Sequence, residues 1–212
     1  MDLHVPEKPI RSFRDFLIHI GIVTIGILIA LGLEQVVELR HRVHVANEAL
    51  AAFRDELRDD REQVREVLDA MPKLRAAIGE EIARIEAPPA PRGAPRGKIH
   101  YPGIYIDLVS SASWDTAIAT QALTELPYSR VKPFAEAYGV LRLFLDTERA
   151  ALESWAALRR FGDDPAALTP DQRRALVEQL RRYESHTYLI ETAGKSALQS
   201  CERALVDVKS GS

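Results

Sequence analysis

The residues of this chain best equipped for chemistry are a scattered set of acids, histidines and one cysteine. Glu38-x-x-His41 has the spacing by which helical di-iron carboxylate proteins present two ligands from one turn. Such a centre needs a second Glu-x-x-His and two further inward carboxylates, and the chain holds no second copy. Glu34, Glu38, His41, His44 and Glu48 instead share an arc of about 120° at 100° per residue, the pattern of a solvated face beside lipid headgroups. Ser113, Asp115 and His186 are the residue types of a hydrolase triad, but no nucleophile elbow surrounds the serine. Cys201 falls in an apolar helical register and reads as a small core residue. No catalytic, cofactor-binding or metal-ligating residue is therefore assigned, and no cofactor is expected. Asp60 and Glu148 remain as acids that interrupt apolar seams, which is costly unless they are paired or functional. They keep open a helical-bundle ligand sensor or a metal-dependent enzyme using buried carboxylates. The test is whether they converge in a closed pocket with a cation or a histidine.

The elements that must position these groups are organised around residues 16–33, FLIHIGIVTIGILIALGL. This run carries no formal charge and is near the minimum for crossing a bilayer core of ~30 Å. Ala30-Leu31-Gly32 has the form of a signal-cleavage site, but the apolar register continues past it through Val36, Leu39 and Val43. An uncleaved transmembrane helix is expected, in contact with the lipid bilayer through 16–33. Gly26-x-x-x-Ala30 offers a small-residue contact within it. The tail, residues 1–15, holds Lys8, Arg11 and Arg14 and is short, which favours a cytoplasmic N-terminus and a bulk domain on the other side.

Residues 34–86 form a stalk that is also the first bundle helix. Its a positions are Val36, Val43, Leu50, Leu57, Val64, Met71, Ile78 and Ile85; its d positions are Leu39, Ala46, Phe53, Asp60, Val67, Leu74 and Glu81. The 3.5-residue period suits a coiled coil or the inward edge of a helical bundle alike. Pro72 predicts a kink or break near 71–72. Residues 87–103, rich in Pro and Gly, cannot continue a helix; their Arg92, Arg96 and Lys98 read as a solvated basic loop.

The remaining bundle helices occupy 104–209. After an ambiguous stretch at 104–109, Trp114, Ala117, Ile118, Ala122 and Leu126 mark one helical face, with serines as N-caps and Trp114 as a packing anchor. A long helix follows Pro127, with Val131, Phe134, Tyr138, Leu141, Leu145, Leu152 and Trp155 as its apolar positions, and Phe161-Gly162 stops it. Thr169-Pro170-Asp171-Gln172 starts the last helix, which runs to about Lys209 with a seam of small residues suited to large partners such as Trp155. Short connections make neighbours antiparallel. The fold class expected is all-α: one N-terminal transmembrane helix continuing into an antiparallel, four-helix-bundle-like domain.

GILIALGLEQVVE, EALAAFRDELRDD and SASWDTAIATQAL resemble an uncharacterised bacterial family of single-span membrane proteins with a G-x-L-I-A-L span, over about a third of the chain. The resemblance implies a bacterial inner-membrane protein with a helical domain, and carries over no activity or ligand residues. The layout is also similar to the helical sensor domains of bacterial chemoreceptors, which return through a second span; this chain shows none after 33. The formal net charge of −3 gives no basic face, which excludes nucleic acid as the expected partner. The reading is a membrane-anchored interaction or scaffold protein, not an enzyme. Its partner is a second copy or another envelope protein, met through the helical seam.

Overall fold

The computed structural model describes residues 13–87, 97–106 and 109–207. Arg92, Arg96, Val208 and Lys209, to which the sequence assigned a basic loop and the end of the last helix, lie outside those residues. The chain is all-α: α1 (Phe13–Glu86), α2 (Ala112–Ala119), α3 (Tyr128–Ala156), a 3-10 helix (Ala157–Phe161) and α4 (Pro170–Asp207), with no strand among the described residues.

Helix α1 is a single rod of 74 residues, about 110 Å long at 1.5 Å per residue. Its two halves live in different surroundings. From Phe16 to Val43 every large apolar side chain is bare, and the first buried residue is Ala46. From there the seam is packed within the chain: Leu50, Phe53, Leu57, Val64, Met71, Ile78 and Ile85 are all buried. The period thus marks the inward edge of a bundle above Ala46, while Val36, Leu39 and Val43 continue it uncovered below. Pro72 sits inside the unbroken helix, so no break occurs there. Its ring is on the exposed face, and the burial of Met71, Leu74 and Ile78, about 1.5–3 kcal/mol each, outweighs the roughly 3 kcal/mol a helix proline costs.

The chain then goes back, out and back along α1. The back-run is mostly not helix. Residues 97–106 and 109–111 have no regular structure, so the connection that the sequence ended at Gly103 reaches Ser111. His100 N–H meets Glu81 and Ser110 N–H meets Asp60. The two bonds thus fall at levels of α1 that are 21 residues, or ~31 Å, apart. We call this connection the strap. Helix α2 continues it downward against α1 but is only eight residues long; the chain turns at Thr120–Gln121, where Gln121 has φ +56°. Ala117 and Ala122 are buried as expected, Trp114 and Leu126 are half-buried, and Ile118 is exposed. Ser111 is the N-cap residue, yet its hydroxyl donates to Asp115 instead of capping a backbone N–H.

Helices α3 and α4 complete the core. Phe134, Tyr138 and Leu141 face inward with Phe144, Glu148 and Ala151, whereas Leu152 is exposed. Gly162, at φ +69°, ends the 3-10 helix in a conformation that favours glycine. The α4 start is a capping box: Thr169 Oγ1 accepts from Gln172 N–H at 3.2 Å, and Thr169 N–H donates to Gln172 Oε1 at 2.8 Å. Helix α4 packs on both α1 and α3 through Leu176, Leu180, Tyr183, Thr187, Ile190, Ala197, Cys201 and Ala204. Gly194 lets it approach closely, since a Cβ there would meet Leu68 at 2.8 Å and Phe144 at 3.2 Å. The large partners of this small seam are thus Leu68 and Phe144. Trp155, expected there, donates its indole N–H to the Pro102 carbonyl of the strap at 2.8 Å.

Candidate functional site

The densest polar arrangement in the described residues lies where α1, the strap, α2 and α3 meet, around Glu56 and Asp60. Asp60 is buried and its Oδ1 accepts the Ser110 N–H at 2.8 Å. One turn below, Glu56 accepts three donors: Tyr138 O–H at 2.7 Å, Ser110 O–H at 3.0 Å and Ser113 N–H at 3.0 Å. Trp114 covers this knot, with its ring 5.5 Å from Phe53 and 5.4 Å from Tyr138, and Phe134 stacks behind Phe53 at 5.3 Å. Burial pushes the Tyr138 phenol well above its ordinary range, and the bond to Glu56 pushes it further. Cys201 is buried close by, and its thiol is pushed up to about 12, chiefly by burial and then by the Asp60 charge. A phenol and a thiol held this firmly protonated are poor bases and poor nucleophiles. The two carboxylates act as acceptors that clasp the strap to α1.

A second clasp lies three heptads higher. Glu81 is buried, pairs with Arg84 and accepts the His100 N–H at 3.2 Å. The two acids that break the d positions of the stalk are therefore, among the described residues, the points at which α1 seizes the strap backbone. From the other side, Tyr183 O–H donates to the Gly103 carbonyl at 2.9 Å and Tyr101 O–H to the Gly162 carbonyl. The strap has no repeating pattern of its own, and these bonds, with Ile99 and Val109 buried, hold it in place.

The other sequence candidates do not assemble. Tyr138 stands level with Glu56 and Asp60, and Glu148 lies ten residues further along α3, about 15 Å away along the axis. Asp60 and Glu148 are both buried but do not share a pocket. Ser113 is bound at the level of Glu56, while Glu191 pairs with Arg75 at 2.7 Å and His186 lies more distal still. Ser113 and His186 are thus separated by about 30 Å, and Asp115 pairs with Arg142 at 2.5 Å. On the stalk, Glu38 bonds Arg42 at 2.7 Å, Arg42 reaches Glu125 at 2.8 Å, and His44 meets Glu48 at 3.2 Å. Among the described residues no three His, Cys, Asp or Glu side chains converge on one point. Glu56 was not singled out from the sequence; only its position one turn from Asp60 would have suggested it.

Two recesses flank this framework. One, about 490 Å³, runs between α1 and α2 and is lined by small side chains, among them Ala49, Ala52, Thr116, Ala117 and Ala122. The other, about 410 Å³, opens at the far end of the bundle between the last turn of α1 and the first turns of α4. One helix among the described residues, α1, is long and apolar enough to cross a membrane, and none of its most apolar window is buried. No protein-family model, curated protein or solved structure matches the chain.

Proposed function

We propose that this chain is a membrane-anchored interaction or scaffold module of the bacterial inner membrane. Residues 16–33 cross the bilayer, the N-terminus lies in the cytoplasm, and the bundle stands outside. The observation that carries the reading is the division of α1. An uncharged run of 18 residues has no buried residue and is continuous with a helix whose upper half is the spine of a packed domain. Burying those isoleucines and leucines in water-free surroundings is favourable by roughly 1.5–3 kcal/mol each, and the bundle of this chain leaves them uncovered. The resemblance to single-span bacterial proteins points the same way.

The partner surface lies low on the bundle. The neck between Leu33 and Ala46 is about 20 Å long and exposes Val36, Val37, Leu39 and Val43. Its seam face is the face that the bundle occupies from Ala46 upward. A second copy pairing in parallel along that seam would have to continue its own α1 through the space filled by the first copy's α4. A helix that ends beneath the bundle, the span of another envelope protein, meets no such obstacle. This favours a different protein over a second copy at the seam. Reporter fusions test orientation: a periplasm-dependent phosphatase should be active at the C-terminus and silent at the N-terminus, and the reverse would contradict the proposal. Photo-crosslinkers at Val36 and Leu39 should trap a membrane protein of different mass; a product of twice the chain's own mass would contradict the partner assignment.

A further inference from the structure

The recess at the far end of the bundle has the make-up of a small-molecule site. Its floor is apolar, formed by Ile85 and Val177, both buried. Its rim carries three guanidinium groups, Arg173, Arg174 and Arg181, with the carboxylates of Glu86 and Glu178 in the lining and that of Asp171 beside Arg174, so the charges of the rim balance. Each arginine is held by a local bond: Arg173 to the Pro165 carbonyl at 2.6 Å, Arg181 to Glu86 at 2.8 Å, and Arg174 to Asp171. A guanidinium has five N–H donors, so each keeps donors for a ligand beside its local bond. Arg173 and Arg174 also stand in the opening turns of α4, where the helix dipole adds positive potential. The volume, about 410 Å³, is that of ordinary ligand pockets.

We propose that this recess binds a small organic monoanion, a carboxylate carrying a compact aromatic or branched apolar body. The apolar body rests on Ile85 and Val177, and the carboxylate takes paired N–H bonds from the arginine rim. The carboxylate competes for N–H donors that the local pairs of Arg174 and Arg181 leave unused. A dianion fits less well, because Glu86 and Glu178 share the lining. The site is independent of where the bundle sits relative to the membrane.

The test is calorimetric titration of the full chain in phosphatidylcholine nanodiscs, with empty discs subtracted. The probes are phenylacetate, isovalerate, neutral phenylacetamide and inorganic phosphate. At least one of the two carboxylates should bind saturably, one per chain, and at least tenfold more tightly than phenylacetamide or phosphate. Arg174→Gln and Arg181→Gln should each weaken that binding fivefold or more. Both residues are exposed and their pairs are of a kind that contributes little to stability, so the variants should melt with the wild type. Failure of both carboxylates to saturate, equal binding of phenylacetamide, or unchanged affinity in both variants would overturn the proposal.

Discussion

Gly194 and Gly139 are both helix-interior glycines, and the chain treats them oppositely. A methyl at Gly194 runs into Leu68 and Phe144, whereas nothing lies within 4 Å of the Cβ position at Gly139. Gly194→Ala should therefore destabilise the bundle by about 1–3 kcal/mol through overpacking. Gly139→Ala should stabilise it by roughly 0.5–1 kcal/mol through reduced backbone entropy. Thermal or urea melts of the two variants check both signs. Cys201 gives a prediction in pH. Its folded pKa is raised from an ordinary 9 to about 12, so the stability it contributes is whole below pH 9 and is lost as pH rises through 12. Tyr138 and Tyr183, raised in the same direction by burial, add to the same alkaline loss. The midpoint should hold from pH 7 to 9 and fall above it, and the folded thiol should resist maleimide at pH 8 until denaturant is added. Ready labelling of the folded chain would contradict its buried, protonated state.

At the level of elements, α1 and α4 were legible because each repeats one apolar face over many turns, and the Thr169–Gln172 box marked the start of α4 to the residue. The strap was not legible. A segment without a period leaves no trace of its partners, and its partners turned out to be acids on another element. Asp60 and Glu81 were visible as faults in the seam, but a fault does not say whether it holds a ligand or a backbone N–H. Glu148 shows the same limit: its burial could be read from the register, its separation from Asp60 could not. Pro72 shows a local rule overridden by packing on both sides of it. If that account of Pro72 is right, Pro72→Ala should raise the unfolding free energy by about 1–3 kcal/mol, since it removes the helix cost and disturbs only an exposed face. An unchanged or lowered midpoint would mean that the proline relieves a strain elsewhere in α1. Asp60→Ala should free the lower end of the strap. Amide exchange at Ser110 should quicken by tenfold or more, the response to losing a bond of about 1.5–3 kcal/mol to a charged acceptor.

On the scale of the whole molecule, one continuous helix joins a bare apolar run to a packed bundle, and no other helix among the described residues is long and apolar enough to cross a membrane. Removing residues 16–33 takes away the candidate span and leaves the core from Ala46 to Ala204 intact. The direct test is therefore a paired fractionation of the full chain and of residues 34–212, both expressed with the same tag and washed with alkaline carbonate. The account predicts the full chain in the membrane pellet, and the truncated chain in the supernatant with a helical circular-dichroism spectrum and a cooperative melt. A full chain released by carbonate, or a truncated chain that stays with the membranes, would contradict it.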